Sequence, residues 1–100
     1  MVLEVAILNI RPGQTGSFEL AFIEAQRIIA ASPGYQRHEL RRCAEHPNRY
    51  LLLVWWDSIE SHAIGFRGSE PYQEWKRRLH HFYDPFPEVE HYLPLERRVQ

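Results

Sequence analysis

Residues 2–10 read Val2-Leu3-Glu4-Val5-Ala6-Ile7-Leu8-Asn9-Ile10 and are followed at once by Arg11-Pro12-Gly13. An apolar run of this length that ends at a Pro-Gly pair predicts a β-strand closed by a turn. Only Glu4 and Asn9 interrupt the run, so both faces of the strand are expected to be buried. The rest of the chain must therefore supply a packing layer for each face.

The pattern of strand, helix and strand occurs twice along the chain. A helical stripe with spacings of three and four residues follows the first turn and ends at Ser32-Pro33-Gly34. A polar strand, expected at a sheet edge, then runs from Tyr35 to about Cys43. The second unit has a strand at 50–56, a helical pattern over about 59–83 with a fresh start at Ser69, and a last strand over 89–95.

This order predicts an α+β, ferredoxin-like domain with split β-α-β topology and an antiparallel sheet, formed by residues 1–100. Two helices can cover only one face of such a sheet. The two strands that are apolar on both faces, Val2–Ile10 and Tyr50–Trp56, therefore predict a homodimer that buries the other face. The aromatic content of 13% is high for a small core and indicates a pocket or an interface.

Charge and composition argue against several classes of protein. The formal net charge is −1, which predicts no nucleic-acid partner. No segment has the ~20 apolar residues of a membrane span, and no signal-like leader precedes the first strand. Cys43 is the single cysteine, so no internal disulfide can form. A cytoplasmic protein without a membrane partner is expected.

Four short motifs, in this order and spacing, resemble the antibiotic biosynthesis monooxygenase (ABM) domain. They are Arg11-Pro12-Gly13, Ser32-Pro33-Gly34-Tyr35, Trp56-Asp57-Ser58, and Phe66 followed by Ser69-Glu70-Pro71-Tyr72. The resemblance covers nearly the whole chain. It implies a ferredoxin-like fold that dimerises sheet to sheet into a β-barrel, in agreement with the uncovered face.

The resemblance also implies a range of activities, from cofactor-independent oxygenation of phenols and quinols to haem degradation. The haem-degrading members are similar in fold and use an Asn, a Trp and a His. The corresponding positions here hold Ala6, Phe66 and, on or next to the third, Lys76. Haem degradation is therefore rejected.

Cofactor-free oxygenation requires an aromatic pocket and a group that takes a phenolic proton. His91 lies on the apolar face of the last strand and, with Tyr72, is the candidate catalytic residue; a structural His bonded to a neighbouring backbone group is the favoured alternative. An exposed position is favoured for His62 over the pocket mouth, and His38 and His46 are expected to be solvated. The candidate pocket residues are Phe22, Trp56, His62, Phe66, Trp75 and Tyr92.

The leading hypothesis is a monooxygenase that acts on a small aromatic, phenolic or quinol-type substrate without a bound cofactor. No metal site is expected, since no His pair has helical i, i+4 spacing. The alternative is a non-catalytic module for small hydrophobic ligands or stress response on the same dimeric fold. A muconolactone-isomerase-like enzyme is a third hypothesis, although no positioned acid/base pair is identified for it.

Overall fold

The computed structural model describes residues 1–95, which form a four-stranded antiparallel sheet in the order β2-β3-β1-β4 with two helices packed on one face. This confirms the predicted α+β architecture. In chain order the elements are β1 (Val2–Asn9), α1 (Thr15–Ala30), β2 (Tyr35–Arg42), β3 (Arg49–Trp56), a π-helical turn (Ser61–Phe66), α2 (Glu70–Leu79), a 3-10 turn (His80–Phe82) and β4 (Val89–Tyr92).

The same tight turn ends β1 and α1. In each, a Pro-Gly pair occupies the two central positions, and the glycine has a positive φ, +81° at Gly13 and +87° at Gly34. The backbone N–H of Gln14 donates to the carbonyl of Arg11 at 3.0 Å, and that of Tyr35 to Ser32 at 3.1 Å. This is the pattern of a type II turn, which needs glycine at its third position.

The core lies between the helices and one face of the sheet. Alternate residues of β1 and β3 point toward the helices and are buried, because successive side chains of a strand face opposite sides. Phe18 of α1 and Leu79 of α2 are fully buried against them. The sheet residues of this core are Ala6, Leu8, Tyr50, Leu52, Val54 and Trp56.

On the opposite face of the sheet, where neither helix lies, the central strands β1 and β3 are apolar, whereas β2 carries Arg37, Glu39 and Arg41 and β4 carries Glu90. Ile7, at its centre, is 50% exposed. Trp55 is on this face, with the guanidinium carbon of Arg37 3.7 Å from the centre of its ring. Around them lie the half-buried residues Leu3, Val5, Leu51 and Leu53.

The structure corrects the extent of the last strand and confirms the fresh helix start at Ser69. The last strand ends at Tyr92 rather than Leu95: its pairing with β1 ends where Tyr92 lies opposite Leu3, and Pro94 has no N–H to donate. As predicted, the second helical region divides, into the π-helical turn and α2, whose N-cap is Ser69. The first helix, α1, begins without a side-chain cap, since its N-cap residue is Gln14 and makes no such bond.

The cap at the start of the π-helical region is Ser58, whose Oγ accepts the backbone N–H of Ser61 at 3.1 Å. Asp57 and Glu60 have the spacing of a capping box, but the box does not form, and Asp57 accepts a hydrogen bond from the hydroxyl of Ser61. Within residues 1–95, none of the helices combines the length and the apolar character that a membrane crossing requires.

Replacement of Gly34 tests the second turn. A Cβ at this position would lie 2.4 Å from Oγ and 2.6 Å from Cβ of Ser61, on a backbone with positive φ. We expect Gly34→Ala to lower the free energy of unfolding by roughly 1–3 kcal/mol in urea denaturation. Gly16→Ala is the matched control, since a Cβ there meets nothing within 4 Å. Its effect should be neutral or stabilising by up to about 1 kcal/mol; equal losses in both variants would contradict the turn assignment.

Candidate functional site

A cavity of about 250 Å³ lies between the helix-facing side of the sheet and the second helical region. Its floor is formed by β1 and β3, and its walls by the π-helical turn, α2 and the segment after the 3-10 turn. Most of the wall is aromatic. The lining residues used below are Glu4, His62, Phe66, Arg67, Tyr72, Trp75, His80, Tyr83 and Phe86.

Glu4 supplies a carboxyl group to the cavity floor. It is on the helix-facing side of β1, next to Val54 on β3, and is only 5% exposed. The indole Nε1 of Trp56 donates a hydrogen bond to its Oε1 at 2.9 Å. Burial raises the pKa of Glu4 to about 7, although the bond from Trp56 and the charge of Arg67 oppose this shift. The carboxyl group therefore changes protonation state near neutral pH.

His62 lies against this carboxyl group. It is 3% exposed, its ring stacks on Trp56 with centroids 5.3 Å apart, and its Nε2 is 3.4 Å from Oε1 of Glu4. Burial, followed by the positive charges of Arg67 and of protonated His91, lowers the pKa of His62 to about 3. The imidazole is thus neutral at physiological pH, with one nitrogen a donor and the other an acceptor.

His91 lies behind His62, outside the cavity lining. It is half-buried on the edge strand β4 and stands opposite Glu4 in the pairing with β1. Its Nε2 is 2.8 Å from Nδ1 of His62. Burial and the charge of Arg67 lower the pKa of His91. The bonding partner of this histidine is therefore another side chain, and not the backbone group favoured from sequence.

The π-helical turn brings His62 and Arg67 to the same side of the chain. The backbone N–H of Arg67 donates to the carbonyl of His62 at 3.0 Å, an i to i+5 bond of the π type. This bond places residues five positions apart close together. Arg67 is the one Arg or Lys among the cavity-lining residues of the described chain.

The cavity wall away from Glu4 is built from packed rings. Phe66 meets Tyr72 edge-on at 5.2 Å between centroids and Trp75 at 5.7 Å. His80 packs against Tyr72 at 6.0 Å and Phe86 at 4.9 Å. Burial, with the charges of Lys76 and Arg67, lowers the pKa of His80. The wall is therefore mostly apolar, with the hydroxyl of Tyr72 and the neutral imidazole of His80 as its polar groups.

Four of the residues predicted for the site, Tyr72, His62, Phe66 and Trp75, line the cavity. Trp56 lies beneath it, where it holds Glu4 and His62. Two placements were wrong. Phe22 of α1 faces β2 and lines a separate open groove. Tyr92 is 51% exposed on the other face of the sheet, because it follows His91 directly, and its hydroxyl donates to Glu90 at 3.1 Å.

The expectations of an exposed His62 and a solvated His38 were also wrong. Nε2 of His38 is 2.9 Å from the side-chain oxygen of Gln26, and its Nδ1 is 2.5 Å from the Tyr35 hydroxyl, because β2 turns this residue toward α1. His46 is exposed, as expected.

Sequence reasoning missed Glu4, Arg67 and Tyr83 as cavity residues. The available signal was the position of Glu4 as the one charged residue inside an apolar strand. A carboxyl group rarely occupies such a position without a specific partner or role. Within residues 1–95, no group of three or more His, Cys, Asp or Glu side chains is arranged to hold a metal ion.

Burial of Glu4 predicts a pH-dependent effect of Glu4→Gln on stability. A carboxyl whose pKa is raised in the folded state does not reduce the free energy of unfolding below its ordinary pKa of 4.5. It reduces that free energy as pH rises through about 7, because the buried group must then ionise. The variant should match the wild type near pH 4 and exceed its free energy of unfolding by up to about 3 kcal/mol at pH 8.

Urea denaturation at both pH values measures this difference. His62 contributes the opposite slope, since its lowered pKa adds stability as pH rises from about 3 to its ordinary 6.5, and both proteins share that contribution. A variant that is less stable than the wild type at pH 8 would contradict a buried, unfavourably ionised Glu4.

Comparisons with known proteins agree with this architecture. The family model "Antibiotic biosynthesis monooxygenase" matches residues 1–78. The Bacillus subtilis (strain 168) protein YczJ, which is described as uncharacterized, is 52% identical over 92 residues, or 92% of this chain and 97% of YczJ. A crystal structure from Bordetella bronchiseptica, provisionally named an antibiotic biosynthesis monooxygenase, has a TM-score of 0.89 and 29% identity, with 94% of this chain and 96% of that one covered.

A more distant structure, SnoaB of Streptomyces nogalater, has a TM-score of 0.74 at 21% identity and covers 98% of this chain and 94% of its own. It shows likeness of fold alone. The family match and the bacterial relative go further, because they extend over most of the sequence. The chain belongs to the antibiotic biosynthesis monooxygenase (ABM) family.

Proposed function

We propose that this protein is a cofactor-independent monooxygenase for small hydroxylated aromatic substrates. The observation that carries the proposal is the carboxyl group of Glu4, whose raised pKa of about 7 suits a general base and which faces an aromatic cavity. Family membership supports the reaction class. SnoaB, described as a cofactor-independent oxygenase, has a similar fold.

In the proposed reaction, ionised Glu4 takes the hydroxyl proton of a hydroquinone. The resulting anion gives one electron to O2, and the substrate radical and superoxide combine to form a carbon–oxygen bond. Protonation gives a hydroperoxide, whose O–O bond breaks as the ring C–H bond is lost and water leaves. For a naphthalene-1,4-diol the products are a hydroxynaphthoquinone and one water, so both atoms of O2 are accounted for.

Trp56, Arg67 and Tyr72 support this reaction. Oε1 of Glu4 accepts the Trp56 hydrogen bond with one lone pair, and the carboxylate keeps further lone pairs for the substrate proton. The guanidinium of Arg67 stabilises the substrate oxyanion. The hydroxyl of Tyr72 donates to the second substrate oxygen, so Tyr72 stays a candidate catalytic residue, whereas His91 does not touch the substrate.

The volume of the cavity limits the size of the substrate. An engineered apolar cavity of about 150 Å³ accommodates one benzene ring. At about 250 Å³, the cavity of this protein suits one or two fused rings. Anthrones, with three fused rings, should be poor substrates unless the wall moves.

Oxygen consumption tests the activity. With naphthalene-1,4-diol and isotopically labelled O2, we expect the wild type to place one labelled atom in the quinone faster than uncatalysed oxidation does. Glu4→Gln should lower kcat/KM by roughly 10²–10⁴-fold, because the amide cannot accept the proton. His46→Gln, an exposed substitution outside the cavity, should behave as the wild type.

The non-catalytic alternative makes a different prediction for the same cavity. A ligand-binding module would bind naphthols but would consume no oxygen above the uncatalysed rate with hydroquinones of one or two rings. That outcome would overturn the monooxygenase proposal. Tight binding that is equal in wild type and Glu4→Gln, without turnover, would favour the alternative.

We also propose that two copies pack sheet to sheet and form a β-barrel. The support is the apolar face around Ile7 and Trp55, which neither helix covers. Interfaces of stable dimers bury roughly 800 Å² per partner, and their centres are poor in charge. Arg37 stacks on Trp55 at the margin of this face.

Residence in the cytoplasm is proposed as well, on the evidence of the single cysteine, Cys43.

A charge on this face should prevent the association. Ile7→Glu introduces a carboxylate at the centre of the proposed interface, where its burial without a partner costs several kcal/mol. Sedimentation should give a mass near 24 kDa for the wild type, about twice the 12.0 kDa chain, and a monomer for the variant. Leu20→Glu, at a residue of α1 that is 70% exposed, is the control and should remain dimeric. A monomeric wild type at micromolar concentration would refute the dimer.

A further inference from the structure

Three side chains form a continuous line from the cavity floor to the edge of the sheet. Glu4 is at the cavity, His62 is next to it, and His91 is on β4, the edge strand. The two gaps are 3.4 Å, from Oε1 of Glu4 to Nε2 of His62, and 2.8 Å, from Nδ1 of His62 to Nε2 of His91. His62 uses a different ring nitrogen for each contact: Nε2 faces Glu4 and Nδ1 faces His91.

The backbone fixes this order. Glu4 and His91 are direct partners in the antiparallel ladder, so their side chains project from the same face of the sheet. The π-helical turn places the ring of His62 over this pair, and stacking on Trp56 holds the ring at 5.3 Å between centroids. Three separate segments of the chain therefore meet to make one line of polar atoms inside an apolar core.

The chemistry of neutral imidazole allows a proton to pass along such a line. One ring nitrogen carries hydrogen and the other accepts it, so a proton that arrives at Nε2 releases another from Nδ1. The 2.8 Å contact between the histidines is a hydrogen bond of ordinary length. The 3.4 Å separation between Glu4 and His62 exceeds ordinary hydrogen-bond length, so the two groups must move closer for the proton to pass.

We propose that Glu4, His62 and His91 form a proton relay that exchanges the proton taken from the substrate with solvent at the edge of the sheet. Its use in catalysis rests on the proposed monooxygenase function. The proton moves from the carboxyl of Glu4 to Nε2 of His62, and the proton on Nδ1 of His62 moves to Nε2 of His91. His91 then releases the proton on its Nδ1. His91 is a positioning residue in this scheme, since it acts through His62.

The groups around the three side chains favour transfer of the proton over its retention on either imidazole. Burial, followed by the charge of Arg67 directly after the π-helical turn, disfavours a lasting positive charge on His62 and His91. Tyr83, after the 3-10 turn, faces Glu4, and burial together with the charges of Tyr72 and Glu4 raises its pKa, so it stays neutral. From β3 the neighbour is the indole of Trp56, which does not titrate. No imidazolium is therefore stabilised at rest.

Nitrogen NMR tests the relay without requiring turnover. In protein with nitrogen-labelled histidine, the ring signals of His62 and His91 should shift together as Glu4 titrates near pH 7. In Glu4→Gln, which keeps an oxygen for the Trp56 bond, this common shift should disappear. Signals of His91 that follow the same titration in wild type and Glu4→Gln would overturn the relay.

Kinetics supply the second test. His91→Gln can still accept a hydrogen bond from His62 but cannot pass a proton on. We expect kcat to fall at least tenfold with KM within about twofold, and added imidazole to restore part of the rate. His81→Gln, at an exposed position, should leave kcat unchanged. An active wild type whose kcat is unaffected by His91→Gln would overturn the catalytic role. A wild type with no oxygen consumption would instead refute the proposed function, while the NMR result still decides whether the relay exists.

Discussion

The burial of the Glu4 carboxyl group against the indole of Trp56 is the constraint on which the site depends. A single 2.9 Å hydrogen bond holds this carboxyl inside an otherwise apolar layer. Without that donor, a buried acid with no partner would lower the stability of the fold by several kcal/mol, and an acid at this position would be disfavoured. With it, the group stays in place yet remains poorly solvated, and this is what moves its proton affinity into the physiological range.

The second requirement is the π-helical turn. An ordinary α-helix would place residue i+4 above residue i, whereas the π-type bond from Arg67 to His62 brings residue i+5 there. The turn thus places a cation near an imidazole and a carboxyl, and it leaves Phe66 on the aromatic wall. The less regular backbone is the means by which one short segment supplies three different chemical groups to one cavity.

Much of the fold can be predicted from sequence, because it depends on local signals. The two Pro-Gly turns, the apolar runs of β1 and β3 and the stripe of α1 each point to one structure. The site is harder to predict, since it depends on register. That Glu4 faces His91 follows from the pairing of β1 with β4, and no local pattern encodes this alignment. The prediction that Tyr92 lines the pocket was wrong for a different reason: Tyr92 follows His91 directly, so strand alternation puts it on the other face.

Trp56 is placed where its fluorescence can report on the state of the site. Its indole bonds to Glu4 and stacks on His62, so it touches both titrating partners of the site at once. Ultraviolet emission from an indole responds to the charge and polarity of the groups next to it. Ionisation of the carboxyl group, or entry of a molecule into the cavity, will therefore be recorded in the intrinsic fluorescence of the protein, without any attached label.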